Sequence, residues 1–316
     1  MHAPVPSRLL SELRTALASG DQAGIDTVCA AWALRPLTGG RNNHVYRWTS
    51  SGQETCIKLY KVDERRQADR EWSALTLMAE NRIEQVPLPL WHAPDPQHPA
   101  IGMTMVPGTH LDSTDVSQLK ALATAHTCLQ QLPLRGLLAE TDRIDSAAHY
   151  IHRLTTIWPR QLADHHDDPL TADMFRLLTQ WDASGDRQLL SEPAEPVFSR
   201  RDANLLNWLW DDGTIGCVDF EFAGRSGPAF DAADLIEHIS ARSVSDETWD
   251  TLIPELGVDH SSIKRFRAAQ RTTALRWLAV LWKQRHRRKV EFAAQLTRVR
   301  GSRRPLRCPV ASEGAL

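Results

Sequence analysis

Asp202, Asn207 and Asp219 stand in one stretch, FSRRDANLLNWLWDDGTIGCVDFEFAGRSGPAFDAAD, residues 198–234. Leu205, Leu206, Trp208, Leu209 and Trp210 fill the first interval, and Ile215, Cys217 and Val218 lead into Asp219. The pattern predicts a loop, a strand, a turn at Asp211-Asp212-Gly213 and a second strand. Asp202 and Asn207 would lie at one edge of that hairpin and Asp219 just past the other. A carboxylate, an amide and a second carboxylate meeting there suit a hydroxyl, a magnesium ion and a phosphate chain. Magnesium takes hard oxygen ligands and needs few of them from protein. Alone, D-x-x-x-x-N recurs by chance, and the same residues read equally as a capping Asp, a turn Asn and a strand-end Asp.

Support must come from upstream elements. Gly39-Gly40 and Asn42-Asn43 predict a turn, followed by a strand through Val45, Arg47 and Thr49, then a return strand TCIKLYK at 55–61. Alternation puts Cys56, Lys58 and Tyr60 on one face and Ile57 and Leu59 on the other. Glycine admits close approach of phosphate to backbone N–H groups. A plain hairpin with a surface lysine is the bland alternative, but a lysine half-buried in mid-strand needs an anionic partner. Residues 63–80 predict an amphipathic helix with Ala68, Trp72, Leu75 and Met78–Ala79 as its apolar stripe. Glu71 borders that stripe and is the natural counter-ion for Lys58. Residues 86–92 carry two prolines and fit only an edge strand or extended segment. Residues 101–106 read as a buried strand broken by Pro107-Gly108, a hinge whose backbone at Met105 and Val106 could meet an adenine edge.

Around these lie mostly helices. Two are expected at 7–18 and from Asp21 to about Trp32, packed outside the first lobe, and several more between Ser117 and Leu190. His126 and His152 read as core residues, and His165-His166-Asp167-Asp168 as a solvated loop, since adjacent side chains do not converge on one ion. Asp231 is placed to cap the helix DAADLIEHISARS, with Asp234 one turn inside it. Two long helices follow.

The 316 residues are 42% hydrophobic and 24% charged, enough for two lobes with cores of their own. No apolar run approaches a membrane span, and the N-terminus lacks a signal-peptide pattern. Five scattered cysteines with no C-x-x-C argue against a disulfide framework or structural zinc and fit a reducing cytoplasm. Residues 283–307 hold ten Lys/Arg against one Glu, while the rest holds 27 basic against 38 acidic. Such a segment could dock a protein partner or form a solvated helix face. Without interleaved aromatics, nucleic acid is not expected. Residues 300–316 are expected to form a loose tail.

Glycine turn, strand lysine, helix glutamate, hinge, helices, D-x-x-x-x-N and V-D-F follow in an order that resembles the aminoglycoside phosphotransferase and choline kinase superfamily, relatives of the protein kinases. The resemblance spans about residues 35 to 295 and is strongest at LTGGRNNHVYRW, at CIKLYK with Glu71, and at RDANLLN…CVDFEFAGRSG…DAADL. It implies an α+β, two-lobed, protein-kinase-like fold. A small N-lobe (1–106) would have an antiparallel sheet and one key helix, and a larger, mainly helical C-lobe (107–299) would carry the catalytic loop. It further implies ATP between the lobes, with Gly39, Gly40 and Asn43 over the phosphates. Lys58 would be held by Glu71, Asp202 would be the base, and Asn207, Asp219 and Glu221 would hold magnesium. Asp234 would brace the catalytic loop. The family usually has H-G-D at this loop and a His two residues after the Asp; here stand Arg200-Arg201-Asp202 and Asn204.

Arg200, Arg201, Arg225 and the basic segment oppose a polycationic acceptor. A neutral or anionic small-molecule hydroxyl is the first expectation. A peptide or protein Ser/Thr hydroxyl and a nucleotide-binding scaffold without transfer activity are the alternatives.

Overall fold

The computed structural model describes residues 4–37, 43–50, 52–140 and 146–301. The expected glycines Gly39 and Gly40, and the expected tail beyond residue 301, lie outside the described residues. The chain opens with α1 (Ser7–Ser19) and α2 (Gln22–Ala31), the latter capped by the Asp21 carboxylate on the Ala23 and Gly24 N–H groups. Then come β1 (Leu34–Pro36), β2 (His44–Ser50), β3 (Gln53–Leu59), α3 (Gln67–Glu80), β4 (Pro89–Ala93) and β5 (Ala100–Thr104). The strands form one antiparallel sheet in the order β1-β2-β3-β5-β4. The proline-bearing strand is at its edge, where a missing N–H costs no ladder bond.

Period-two alternation divides β3 as the sequence predicts. Ile57 and Leu59 face α1, in a cluster with Leu9, Leu10, Leu13 and Trp91. Lys58 and Tyr60 face the other way, toward α3. α3 begins later than the charged run at 63–66 suggests, because Arg66 takes a left-handed conformation (φ 53°) and starts the helix there.

Beyond β5, β6 (Thr109–His110) joins a second, three-stranded sheet. The helical part contains α4 (Val116–Gln130), α5 (Ala147–His152), α6 (Trp158–Ala163), α7 (Pro169–Asp182) and α8 (Asp186–Ser191). A π turn at Arg153–Ile157 joins α5 to α6 just ahead of Pro159, which has no N–H to donate backward. β7 (Val197–Ser199), β8 (Trp208–Asp211), β9 (Thr214–Cys217) and β10 (Gly224–Ser226) precede α9 (Pro228–Glu237), α10 (Asp246–Leu252), α11 (Ile263–Trp282) and α12 (Lys289–Gly301).

The larger core runs without a break from Met78, Ile101 and Met103 to Leu122, Trp208, Cys217 and Phe266. Apolar packing therefore crosses the boundary expected at residue 106. The basic end of the chain folds back on the body: Arg285 pairs with Asp168, Arg298 with Glu237 and Asp246, and Arg300 with Asp173. These pairs favour the helix-face reading of that segment over a docking arm. No helix among the described residues is long and apolar enough to cross a membrane.

Candidate active site

β8 and β9 form the expected hairpin, closed by Asp212 and Gly213, both at positive φ (40° and 90°). That two-residue Asp-Gly loop matches the twist of the paired strands. It brings the ends of the motif together: the Val218 N–H donates to the Asn207 carbonyl at 2.9 Å. Asn207 Nδ2 in turn donates to Asp202 Oδ2 at 2.7 Å, and the Asn204 N–H to Asp202 Oδ1 at 3.1 Å. Asp202 is thus fixed on both oxygens. Burial raises its pKa, Arg200 opposes that rise and Asp219 adds to it.

Lys58 is 6% exposed and at the centre of a cluster of three carboxylates. Its Nζ lies 2.7 Å from Glu71, 2.5 Å from Asp219 and 2.7 Å from Glu221. Burial opposes its charge, but Asp219, Glu71 and Glu221 outweigh it and hold the pKa well above the usual lysine value. Glu71, 1% exposed, also accepts from Tyr60 Oη at 2.5 Å and from the Phe220 N–H at 3.1 Å. A helix carboxylate therefore fixes both the strand lysine and the segment after Asp219. Burial works against ionisation of Asp219 too, yet Lys58 keeps its pKa low. Glu221 is pushed up to about 7, first by burial and then by Asp219 and Glu71, against the pull of Lys58. Asn43 donates to Glu221 at 2.5 Å, and Gln67 donates to its other oxygen at 3.1 Å.

The carboxylate oxygens of Glu71, Asp219 and Glu221 lie within 4.8 Å of one another, a hard-oxygen set that fits magnesium. Glu71 already serves three donors inside the protein. Asp219, a third of whose side chain is exposed, is the better placed to meet a cation. Glu221 is buried, likewise serves three donors, Lys58, Asn43 and Gln67, and would meet it by releasing one of them. Asn207, which donates through Nδ2, retains Oδ1 as an oxygen ligand.

Met105 and Val106 follow β5 as the expected hinge. Gly108 there has φ 109°, and a Cβ on it would come within 2.6 Å of the Trp210 carbonyl. A Cβ on Gly216 would come within 2.9 Å of Val106. Both contacts seat the segment after β5 directly on the β8–β9 hairpin.

Three expectations need correction. Arg200 does not present an open charge to an acceptor: it is 6% exposed, packs over the Trp208 and Phe220 rings, and donates to the Val218 carbonyl at 3.2 Å. Its guanidinium props up the residue before Asp219 from inside. Arg201 is also buried, at φ 55°, a left-handed conformation that costs an L-residue about 1 kcal/mol. Its N–H donates to Ser199 Oγ. Asp231 does not cap α9; Gly227 occupies the cap position, with Pro228 in the first turn. Instead Asp231 accepts from Ser199 Oγ and from Gln130 Nε2, with His126 Nε2 at 3.3 Å. Asp231 therefore braces the loop that carries Asp202, through Ser199. Asp234, expected in that role, accepts from Tyr150 Oη at 3.4 Å and lines with Asp202 a cavity of about 20 Å³. Tyr60, Gln67, Ser199 and Gln130 escaped the sequence reading. Only Tyr60 left a signal, its alternation onto the Lys58 face.

A profile of the phosphotransferase enzyme family matches residues 33–259. The chain belongs to that family, and its fold is protein-kinase-like. Solved structures agree. A Plasmodium vivax ethanolamine kinase is similar at a TM-score of 0.61 and 13% identity, over 96% of each chain. A choline/ethanolamine kinase family protein from Mesorhizobium loti is similar at 0.60 and 17%, over 94% of this chain and 96% of that one. A spectinomycin phosphotransferase bound to ADP and spectinomycin is similar at 0.56 and 12%, over 86% and 89%. No curated protein matches the sequence. Identities this low carry the fold, and the acceptor must be argued from the site itself.

Proposed function

We propose that the protein transfers the γ-phosphate of ATP, with magnesium, to a hydroxyl of a neutral or anionic small molecule. The observation that carries this is Lys58 of β3 held between Glu71 and Asp219, the latter just past the β8–β9 hairpin at whose start Asn207 orients Asp202. Magnesium would neutralise the phosphate chain as charge moves to the leaving oxygen. Asp219, Glu221 and the Asn207 amide oxygen would hold it.

The remaining work falls to the protein. Lys58 presents a fixed positive charge to the phosphates without reorganising, because Glu71 already holds it. Asn43 donates to Glu221 at the edge of the same carboxylate cluster. Asp202, locked on both oxygens by Asn204 and Asn207, accepts a hydrogen bond from the acceptor hydroxyl and takes its proton late in transfer. Its raised pKa suits a group that must receive a proton. Arg200, packed inward, gives the acceptor side no direct positive contact, but it adds positive potential beneath the loop. That potential disfavours a polycation.

The test is a screen of metabolite hydroxyls with labelled ATP, read by mass shift. Phosphorylated product that is lost in Asp202→Ala supports the reading. Equal turnover in that variant sinks Asp202 as the base.

A further inference from the structure

The catalytic loop is also held from the far side of the C-lobe. The Leu205 N–H, between Asp202 and Asn207, donates to Ser240 Oγ at 2.8 Å. Ser240 lies in the single 3-10 turn after α9, Ile239–Ala241, and His238 caps that turn. The Ser240 N–H donates to His238 Nδ1 at 3.1 Å, and Ser240 Oγ lies 2.7 Å from the same nitrogen. A ring nitrogen that accepts a backbone N–H carries no proton, so the imidazole proton is on Nε2. The Ser240 hydroxyl then turns its hydrogen to Nδ1 and its lone pairs to Leu205. The Trp277 ring meets His238 edge-on, 4.8 Å between centroids and 89° between planes, and sets the imidazole plane.

His238 stays neutral. Burial first, then the Arg276, Arg242 and Arg200 guanidiniums, push its pKa down to about 3. The Nδ1 lone pair is therefore available across the neutral range. A residue that merely filled space would need neither this acceptor nor the hydroxyl beside it.

We infer that His238 and Ser240 form a positioning relay that fixes Leu205, and through it the separation of Asp202 from Asn207. The inference rests on the reading of Asp202 as the base. It joins the loop to the end of α9 and, through Trp277, to α11. Neither residue needs to touch substrate.

Three variants test it: Ser240→Ala, His238→Phe, and His238→Asn, whose side-chain oxygen is a good helix-cap acceptor. Each is measured for magnesium-dependent release of inorganic phosphate from ATP, for ATP affinity by titration, and for hydrogen exchange of the 202–207 amides. Ser240→Ala and His238→Phe should lower turnover about tenfold, the worth of one well-placed hydrogen bond. ATP affinity should change by less than about twofold, because the nucleotide side is untouched. The Leu205 amide should exchange about tenfold faster, and His238→Asn should restore most of both losses. The relay is overturned if Leu205 exchanges no faster in either variant. It is equally overturned if turnover and ATP affinity fall together with no recovery in His238→Asn. Should Asp202→Ala release phosphate as fast as the parent, the reading of Asp202 as the base fails, and the exchange rates alone decide the relay. Protection of Leu205 lost in Ser240→Ala then supports it; unchanged protection refutes it.

Discussion

Replacing Lys58 by Met removes the cation from among three clustered carboxylates, two of them buried, and the structure gives the cost. The oxygens of Glu71, Asp219 and Glu221 lie within 4.8 Å of one another. At an effective dielectric of about 20, two like charges at that separation repel by roughly 3 kcal/mol. Water at the exposed part of Asp219 reduces its share. Glu71 and Glu221, almost fully buried, have no such relief. A net loss of about 3 kcal/mol at pH 8 is therefore expected. The sign with pH follows from linkage. Without Lys58 the folded-state carboxylate pKa values rise above their unfolded values, so the folded state binds the extra protons. Stability is then highest below the unfolded carboxylate pKa and falls as pH rises toward the raised folded values. Glu221, already near 7 with Lys58 present, places the upper end of that window at or above neutrality. Urea unfolding of parent and Lys58→Met protein at pH 5 and pH 8 measures this. The variant should approach the parent at pH 5 and fall well below it at pH 8. A constant gap between the two at both pH values would refute the idea that Lys58 neutralises a carboxylate cluster.

Other consequences are as specific. Asp231→Ala leaves the Ser199 hydroxyl, Gln130 and His126 without their shared carboxylate, and should cost about 2–4 kcal/mol in chemical unfolding. Gly108→Ala puts a Cβ against the Trp210 carbonyl at φ 109°, and should lower stability by about 2 kcal/mol, read as a drop in Tm. Asp202→Asn should reduce phosphoryl transfer by about 10²–10⁴ and leave ATP affinity near its parent value, checked by labelled transfer and titration. Because burial pushes the Glu221 carboxyl up to about 7, magnesium-dependent ATP binding should strengthen from pH 6 to pH 8, and Glu221→Gln should flatten that profile.

The sequence pattern made the sheet face of Lys58 legible because alternation has a period of two and one slip would bury the wrong set. The hairpin was legible because Asp212-Gly213 supplies the two positive φ values its turn demands. The brace was not. Asp231 and Asp234 lie three residues apart on α9, almost one turn, and only the packing of α9 against β7 and α4 decides which one meets Ser199. The arginines misled for another reason. Charge argues for exposure, but a flat guanidinium can bury its faces on Trp208 and Phe220 while its edge serves the Val218 carbonyl. His238 and Ser240 carry no spacing signal at all, since their partner lies 35 positions from Ser240.

The most direct measurement is titration of ATP into the protein with and without magnesium, for the parent, Lys58→Met and Asp219→Asn. Binding that is tight only with the metal, weakened in the lysine variant and indifferent to magnesium in the aspartate variant, is the predicted result. Equal affinity in all three, or binding that ignores magnesium in the parent, would contradict a shared nucleotide crevice beneath Asn43.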